Sequence, residues 1–559
     1  MTLQAWIRAL PDLTWARLLR FNLLARTGLH QDFGRFIRPH ESLWRAALSG
    51  ARAPRVLIAT NTGGHFALAA IDRLLAVALT LRGANVTSVL CDGVLPACMM
   101  CEFNLAPLPQ FARLGPPRLL CGYCHAPAAE RLAALRLPVV RLGETLLEQD
   151  YAVAYAFANE LPDDALRTAK WQGLPVGEHA YAGALRYLAR GSLVQEPQGT
   201  AILRRYLAAS VLTAIAYDRL IEDTRANVAV VHHGIYTPQG IVAAVARARG
   251  LRVVTWNPAY RRHCFIFSHD DTYHHTLMDE PMKRWAERKL GSVEREATLA
   301  YLASRTDGSG DWIRFHKDPV ASEIAQLGLH RHKTVVVAYT NVFWDAQLHY
   351  PANAFPDQRT WLMDTVRWFA KRPDLQLVIR VHPAEVTGSP ASRQRAADEI
   401  AAEFSRLPNN VVVVPPESPV SSYGLAKIAN AALIYGTKMG VELAAIGIPV
   451  IVAGEAWVRN KGITFDAASK EHYLELLAQL PFPNRIDPER QERAIAYAHH
   501  FFFRRMIPLP FVEPVPGARR FQISVADLQP LRPGSDPGLD MICEGILAGT
   551  PFEYTPAVD

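Results

Sequence analysis

The sequence predicts an α/β protein with two parallel-sheet domains in tandem. Short, almost continuously apolar runs alternate with amphipathic helical segments in two series, one starting at Arg55 and the other at Thr334. Such runs are typical of strands in sheets that helices cover on both faces. In addition, 559 residues are too many for a single core and enough for two or three domains.

In the first series, a glycine turn follows the first strand, and a long helix precedes the last two strands. The predicted strands are Arg55–Thr60, Asn85–Leu90, Val228–Val231 and Arg252–Thr255, and the predicted helices are Phe66–Leu81, Ala201–Asp223 and Ile241–Arg249. Strands that alternate with helices in this way form βαβ units with parallel pairing.

The second series has the same character and ends in a long closing helix. The predicted strands are Thr334–Tyr339, Leu375–Val381, Asn410–Val414, Ala431–Tyr435 and Pro449–Ala453. The predicted helices are Gln358–Lys371, Ala391–Arg406, Val420–Asn430, Met439–Ile446 and the closing helix Pro488–Arg505.

These patterns divide the chain into five segments. They are an N-terminal helical segment at 1–53, a first domain at 54–270 with a cysteine-rich insertion at 91–125, a helical connection at 271–332, a second domain at 333–485, and a closing helix and tail at 486–559. The connection is where the alternation loosens and charged residues accumulate. Two such domains leave a cleft between them, and the layout resembles the architecture of two Rossmann-like domains called GT-B.

The charge balance favours anionic ligands. The formal net charge is +7 and is spread along the chain rather than gathered in a Lys/Arg block, which argues against nucleic acid as a partner. No run approaches the roughly 20 apolar residues of a membrane span, and charges interrupt the first 30 residues, so we expect a cytoplasmic protein. The amphipathic segment Leu13–Leu24 either packs on the first domain or lies on the inner membrane as a peripheral contact.

The segment Ala431–Tyr473 is the most informative part of the sequence. An apolar run breaks at a polar turn, Gly436-Thr437-Lys438, which leads into an amphipathic helix and a second apolar strand. A helix that starts at the carboxyl edge of a parallel sheet is a common site for phosphate. Glu442 is a charge within an otherwise apolar helix and is expected to face a specific partner, either a ligand or Lys438 one turn earlier.

Several motifs together resemble bacterial glycosyltransferases of capsule and surface polysaccharide biosynthesis. One is the strand end Arg380-Val381-His382-Pro383, and another is the run from Tyr435 to Tyr473. The segments His232–Gly240 and Trp256-Asn257-Pro258 resemble acceptor-side segments of the same family. The resemblance covers roughly 228–477 and implies that the second domain binds a nucleotide sugar while the first binds a glycan or lipid-linked acceptor.

The resemblance also implies roles for residues of the second domain. His382 would hold a phosphate of the nucleotide sugar, and Arg380 lies on the same strand face two residues earlier. Glu442 would accept hydrogen bonds from ribose hydroxyls. The remaining predicted donor contacts are Gly436, Thr437 and Lys438.

Polar groups at other strand ends supply candidates for binding and catalysis. Gly63-Gly64-His65 follows the first strand and either contacts substrate or is an ordinary turn. His232 and His233 are candidate general bases toward an acceptor hydroxyl, and Asp345 is a further catalytic candidate. The polar cluster His269–His275 either reaches the cleft or forms a solvated loop.

Five of the seven cysteines fall within Cys91–Cys124. Two C-x-x-C pairs, Cys98/Cys101 and Cys121/Cys124, have the spacing of a structural zinc site with four thiolate ligands. The alternative is a set of free thiols in the core.

The sequence therefore predicts an enzyme, a glycosyltransferase with a nucleotide-sugar donor that builds capsule or surface glycan, alone or with other polysaccharide-assembly proteins. A CMP-linked acidic sugar is the first donor to test, and a nucleoside-diphosphate sugar remains open. A nucleotide-sugar epimerase with the same architecture and a non-catalytic polysaccharide-binding protein are the alternatives.

Overall fold

The structure, a computed structural model, describes residues 31–103, 106–306, 308–312, 321–330, 332–388, 390–515 and 521–555. The amphipathic segment Leu13–Leu24 lies outside these residues. The strands are β1 Arg55–Asn61, β2 Asn85–Leu90, β3 Val139–Arg141, β4 Val228–His232, β5 Arg252–Pro258, β6 Cys264–His269, β7 Thr334–Tyr339, β8 Leu375–Arg380, β9 Val411–Val414, β10 Ala431–Ile434, β11 Val450–Val452, β12 Phe465–Asp466, β13 Met506–Pro508, β14 Val512–Pro514 and β15 Phe521–Ile523.

Two separate sheets carry the fold, which confirms the predicted pair of α/β domains. The first sheet has the order β13-β6-β5-β4-β1-β2-β3, and its five strands from β5 to β3 are parallel. The second has the order β12-β11-β10-β7-β8-β9 and is parallel throughout. In each sheet, the strand order runs in opposite directions on the two sides of the strand that comes first in the chain, β1 or β7. This is the arrangement of a doubly wound sheet.

Helices cover both faces of each sheet. The α-helices are Gly34–Ile37, Glu41–Gly50, Phe66–Leu81, Leu108–Leu114, Arg118–Ala133, Glu148–Glu160, Val176–Leu188, Gly199–Thr224, Gln239–Ala248, Tyr273–Met278, Ser292–Ser304, Gln358–Phe369, Ala384–Thr387, Ala396–Glu403, Ser422–Ile428, Met439–Ala445, Lys470–Ala478, Pro488–His499 and Pro537–Ala548.

The pleat of the first strand in each sheet explains the apolar runs of the sequence. In β1, Leu57 and Ala59 pack into one core cluster, whereas Val56 and Ile58 pack into the cluster on the opposite face. The same alternation in β7 divides its residues between the two faces of the second sheet. Each strand is therefore apolar on both sides because both sides are buried.

The C-terminal segment returns to the first domain. After the helix Pro488–His499 comes a π-helical turn, His500–Arg504, and β13 then pairs antiparallel with β6. The helix Pro537–Ala548 supplies Leu539 and Ile542 to the core of the first sheet. The predicted closing helix Pro488–Arg505 is therefore α-helical to His499 and π-helical to Arg504, and the tail packs on the first domain.

The antiparallel extension was not predicted. The strand β6 follows β5 after a short turn, and its partner β13 lies far along the chain, so neither forms the βαβ pattern that revealed the other strands. Among the described residues, no helix is both long and apolar enough to cross a membrane.

Candidate functional site

A cleft of about 1250 Å³ lies between the carboxyl ends of the two parallel sheets. Its walls include His232 at the end of β4, Tyr339 at the end of β7 and Arg380 at the end of β8. Because strand ends of both sheets reach it, the cleft is at the edge where α/β proteins bind ligands. A second cavity of about 800 Å³, beside Lys333 and Asn430, opens at the other ends of β7 and β10.

Cationic side chains outnumber carboxylates along the described wall of the cleft. The cations are Arg167, Arg186, Arg305, Arg380 and Lys438, and the carboxylates are Asp311, Asp345 and Glu455. Asp311 is paired with Arg305, and two carboxylates behind the wall, Glu442 and Glu102, are paired with other cations of this set. The groups that face the cleft directly are still mostly cationic, which favours anionic ligands.

Glu442 is buried beneath the cleft, with 2% of its surface exposed. Its carboxylate accepts hydrogen bonds from Lys438 Nζ at 2.7 Å and from the hydroxyl of Tyr423, and it lies 3.3 Å from Arg305 Nε. Among the described residues, Lys438, Arg305 and Tyr423 line the cleft, and Glu442 lies behind them. The prediction that Glu442 faces a specific partner holds, but its partners are these three side chains, so the structure gives no support to a direct contact with ribose.

Burial and the neighbouring charges set the protonation of this cluster. Burial alone would raise the pKa of Glu442, but Arg305 and Lys438 hold the pKa below its ordinary value. Burial, reinforced by Arg305, lowers the pKa of Lys438 to about 8. Lys438 Nζ also lies 4.8 Å from the ring centroid of Tyr260, a residue of the first domain, so this cation contacts both walls of the cleft.

The strand, turn and helix predicted around Lys438 are confirmed. The helix Met439–Ala445 has seven residues and begins directly after Lys438. Gly436 and Thr437 line the cleft. The carbonyl of Gly436 accepts a hydrogen bond from Asn341 Nδ2 at 3.4 Å, which joins this turn to the loop after β7.

His382 and Arg380 share a strand end but have different surroundings. His382 Nδ1 accepts a hydrogen bond from the Ala384 N–H at 3.0 Å, so the neutral imidazole carries its proton on Nε2. Arg380 borders the cleft, yet its guanidinium donates to the carbonyls of Pro415 at 2.7 Å and Ser418 at 3.2 Å. Burial lowers the pKa of Arg380 to about 10. Arg380 thus braces the loop after β9, and His382 is the better candidate for a donor contact.

His232 and His233 lie on the first-domain wall. His232 is buried, and its Nε2 donates to Asn257 Oδ1 at 2.9 Å. His233 has a left-handed backbone (φ 64°) and a ring 5.2 Å from that of Tyr236. Burial, reinforced by neighbouring imidazoles, lowers the pKa of both histidines well below the ordinary value. Both are therefore neutral at physiological pH, but they are weak bases.

Asp345 is brought to the same wall from the second domain. It follows β7 on a loop, it is half-buried, and it lines the cleft. The hydroxyl of Tyr236 donates to Asp345 Oδ1 at 2.9 Å. His274, from the polar cluster His269–His275, lines the cleft next to it, whereas His269 binds the Thr550 carbonyl at 2.9 Å.

The glycine turn after β1 has a packing role. A Cβ on Gly63 would lie 2.3 Å from the carbonyl oxygen of Cys124, and one on Gly64 would lie 2.5 Å from Met100 Cε. The close approach that these glycines permit is therefore that of the helix Arg118–Ala133. Of the three predicted residues, His65 is the one that lines the cleft.

The four predicted zinc ligands lie close together. Cys98 Sγ and Cys101 Sγ are 4.0 Å apart, and Cys124 Sγ accepts a hydrogen bond from the Gly64 N–H at 3.1 Å. Within the described residues, no three His, Cys, Asp or Glu side chains are arranged to hold a metal ion. The zinc site stays a prediction.

Four contributors to the cleft were missed in the sequence. Arg305 lies just past the helix Ser292–Ser304, in the segment predicted as a connection. Tyr260 and Tyr423 complete the surroundings of Lys438 and Glu442, and Arg186 lies in the first-domain wall. A lone Arg or Tyr carries no spacing signal, so the sequence had no means of finding them.

Two α/β domains with a cationic cleft between their sheet edges define a protein of the GT-B class. Residues 297–486 match the model of a family described as capsule polysaccharide biosynthesis protein. This segment contains Arg305, His382, Lys438 and Glu442, and through it the chain is similar to that family. The resemblance predicted from the sequence is therefore confirmed.

Solved structures with similar folds are distant. KpsC beta Kdo 2,4 transferase from Thermosulfurimonas dismutans is 13% identical with a TM-score of 0.33, covering 48% of this chain and 79% of that one. UDP-GlcNAc 2-epimerase from Neisseria meningitidis is 11% identical with a TM-score of 0.23, covering 80% and 97%. Sucrose-phosphate synthase from Thermosynechococcus elongatus is 12% identical with a TM-score of 0.26, covering 80% and 93%. No curated protein matches the chain.

Proposed function

We propose that this protein is a glycosyltransferase that moves a sugar from a nucleotide-activated donor to a growing capsule or surface glycan. The observation that carries the proposal is the contrast between the two walls of the cleft. The second-domain wall presents cations above a buried carboxylate, and the other wall presents imidazoles, a phenol and a carboxylate. The family match supports the same reading.

The cations suit the departing half of a nucleotide sugar. Lys438, Arg305 and the Nε2–H of His382 would contact the donor phosphate. When the bond between the anomeric carbon and the phosphate oxygen breaks, its electron pair stays on that oxygen, and fixed cations stabilise the new charge. Glu442 has the supporting task of holding Lys438 and Arg305 in place.

Asp345 is the strongest candidate for the general base. Its carboxylate would take the proton of the acceptor hydroxyl as that oxygen bonds to the anomeric carbon. His232 is less suited because its Nε2 is occupied by Asn257. His233 is less suited because its ring is surrounded by the rings of two tyrosines and two other histidines.

The donor to test first is a CMP-linked acidic sugar. The R-x-H-P sequence at Arg380–Pro383 resembles that of enzymes with such donors, and the excess of cleft cations would suit a sugar that carries its own carboxylate. A nucleoside-diphosphate sugar would satisfy the same cations through its second phosphate. The predicted cytoplasmic location, with peripheral contact at the inner membrane, and the predicted partnership with other polysaccharide-assembly proteins stay predictions.

The proposal is tested by incubating the full chain with CMP-, UDP- and GDP-sugars, with and without capsule oligosaccharide acceptors, and analysing the products by mass spectrometry. We expect acceptor-dependent transfer that Asp345→Asn abolishes while nucleotide binding is retained. Release of an epimerised nucleotide sugar without acceptor would instead support the epimerase alternative. Absence of both nucleotide binding and turnover would refute an enzymatic role.

A further inference from the structure

The carboxylate of Asp345 depends on a group from the opposite domain. Asp345 belongs to the loop that follows β7, whereas its hydrogen-bond donor, Tyr236, follows β4. The same Tyr236 hydroxyl accepts a hydrogen bond from the Ala346 N–H at 3.0 Å. One phenol thus fixes both the side chain of Asp345 and the backbone next to it.

Tyr236 is itself held in place by its surroundings in the first domain. It is 1% exposed, and the guanidinium of Arg186 lies 4.8 Å from its ring centroid. Arg186 Nε donates to Glu102 Oε2 at 2.6 Å, and Arg186 Nη1 is 3.5 Å from the Tyr236 hydroxyl. Burial raises the pKa of Tyr236, so the phenol keeps the proton that it donates to Asp345.

The surrounding contacts show that the Asp345 loop is docked on the first domain. Ala346 and Leu348 share a buried apolar cluster with Ala182, Ile235 and Tyr236. At the end of the loop, the His349 N–H donates to Glu178 Oε1 at 2.8 Å. Contacts with the first domain therefore define the position of Asp345 as much as contacts within the second domain do.

We infer that Tyr236 is a positioning residue that sets the orientation of Asp345, and that the base is complete only when the two domains are docked. The inference rests on the proposed role of Asp345 as general base. An undocked enzyme would bind a donor in the second domain without an oriented base. Transfer would then be confined to the closed cleft, where bulk water does not compete with the acceptor.

Loss of the Tyr236 hydroxyl removes the hydrogen bond that orients the Asp345 carboxylate. The other groups that face Asp345 remain in such a variant. The charged or titratable groups around it are Arg186, Tyr236, Tyr260, Tyr273, His274 and Tyr350. Among these, Tyr236 is the one whose bond to the carboxylate of Asp345 defines its rotamer.

Tyr236→Phe tests the inference in the full chain. We expect kcat to fall about tenfold with donor KM little changed, because an oriented hydrogen bond to a charged group is lost while the donor contacts stay. Tyr206→Phe is the matched control, since this buried tyrosine of the same domain donates to the Cys98 carbonyl at 3.2 Å, away from the cleft.

The outcomes separate this inference from the proposed function. If Asp345→Asn is inactive and Tyr236→Phe leaves kcat unchanged, the positioning role is overturned and the proposed function stands. If Asp345→Asn retains activity, the base assignment fails and the inference fails with it. Should Tyr236→Phe not fold by circular dichroism, Arg186→Lys, which loses the planar stacking on Tyr236, must lower kcat with donor KM little changed, or the inference is wrong.

Discussion

Glu442→Ala removes the carboxylate that compensates two cations beneath the cleft. The side chain makes no contact with bulk solvent, and Lys438 and Arg305 both rely on it. Replacement by Ala therefore leaves buried positive charge with less compensation, together with a Tyr423 hydroxyl that has lost its acceptor. The consequences for stability and for ligand binding are separable.

The loss of stability follows from the surroundings of the two cations. Removing one member of a buried ion pair costs about 3 to 5 kcal/mol. Arg305 keeps a second carboxylate, that of Asp311. Lys438, with a pKa of about 8, can give up its proton near neutral pH for about 1.4 kcal/mol per pH unit. Both features reduce the loss of stability, so we expect the free energy of unfolding to fall by about 3 kcal/mol.

Glu442→Ala should also weaken nucleotide binding. Without Glu442 the pKa of Lys438 falls further, so at neutral pH the lysine is less often charged and no longer held toward the cleft. A charge-assisted contact contributes about 1.5 to 3 kcal/mol, so nucleotide affinity should fall by about tenfold or more. In Glu442→Gln, the pH above which affinity declines should be lower than in the wild type, where it lies near the Lys438 pKa of about 8.

Two assays and one control complete this test. Denaturant unfolding followed by tryptophan fluorescence measures stability, and isothermal titration with nucleotide over a pH series measures binding. Glu403→Gln is the matched control, because this carboxylate of the same domain pairs with the half-exposed Arg359 and Arg367 and should cost no more than about 0.5 kcal/mol. If Glu442→Ala unfolds like the control and binds nucleotide like the wild type, the description of Glu442 as the support of the cationic wall is wrong.

Three further predictions concern other parts of the chain. Burial raises the pKa of Glu385 to about 7, above its unfolded value, so its stabilising contribution is present at low pH and is lost as pH rises through 7. The free energy of unfolding should therefore fall by about 2 kcal/mol between pH 5.5 and pH 8 on account of this group, and Glu385→Gln should remove that fall. His382→Ala should weaken donor binding about tenfold in KM, whereas His330→Ala, beside the second cavity, should leave it unchanged. Metal analysis of protein purified without a His-tag should find about one equivalent of zinc if Cys98, Cys101, Cys121 and Cys124 bind the ion, and less than about half an equivalent would reject the site.

Local patterns in the sequence predicted the features that depend on neighbouring residues. The turn at Gly436–Lys438 is an example, because the end of β10, the turn and the following helix are contiguous. The unusual charge at Glu442 was also correctly predicted to face a specific partner. Of the observed partners, Lys438 was one of the two alternatives that the sequence offered. Arg305 and Tyr423 could not be predicted, because they reach Glu442 from other elements.

Contacts from distant parts of the chain also surround the glycine turn and the cysteines. Gly63 and Gly64 have the flexibility of a ligand-binding turn, but the space in front of them is filled by a helix whose position the sequence does not encode locally. The spacing of the two C-x-x-C pairs satisfies a zinc pattern, whereas the folding of Cys124 against Gly64 directs that thiol to a backbone N–H. For the glycine turn, tertiary packing shows a role that the local pattern could not distinguish from ligand binding.

The central claim is that the cationic wall of the interdomain cleft binds the nucleotide of an activated sugar. Isothermal titration of CMP, UDP and GDP into wild type, Lys438→Ala and Lys333→Ala tests it most directly. The account predicts that at least one nucleotide binds the wild type, that Lys438→Ala weakens this binding at least about tenfold, and that Lys333→Ala, at the second cavity, binds normally. Equal affinity of Lys438→Ala and wild type, or no binding by any of the three nucleotides, would contradict it.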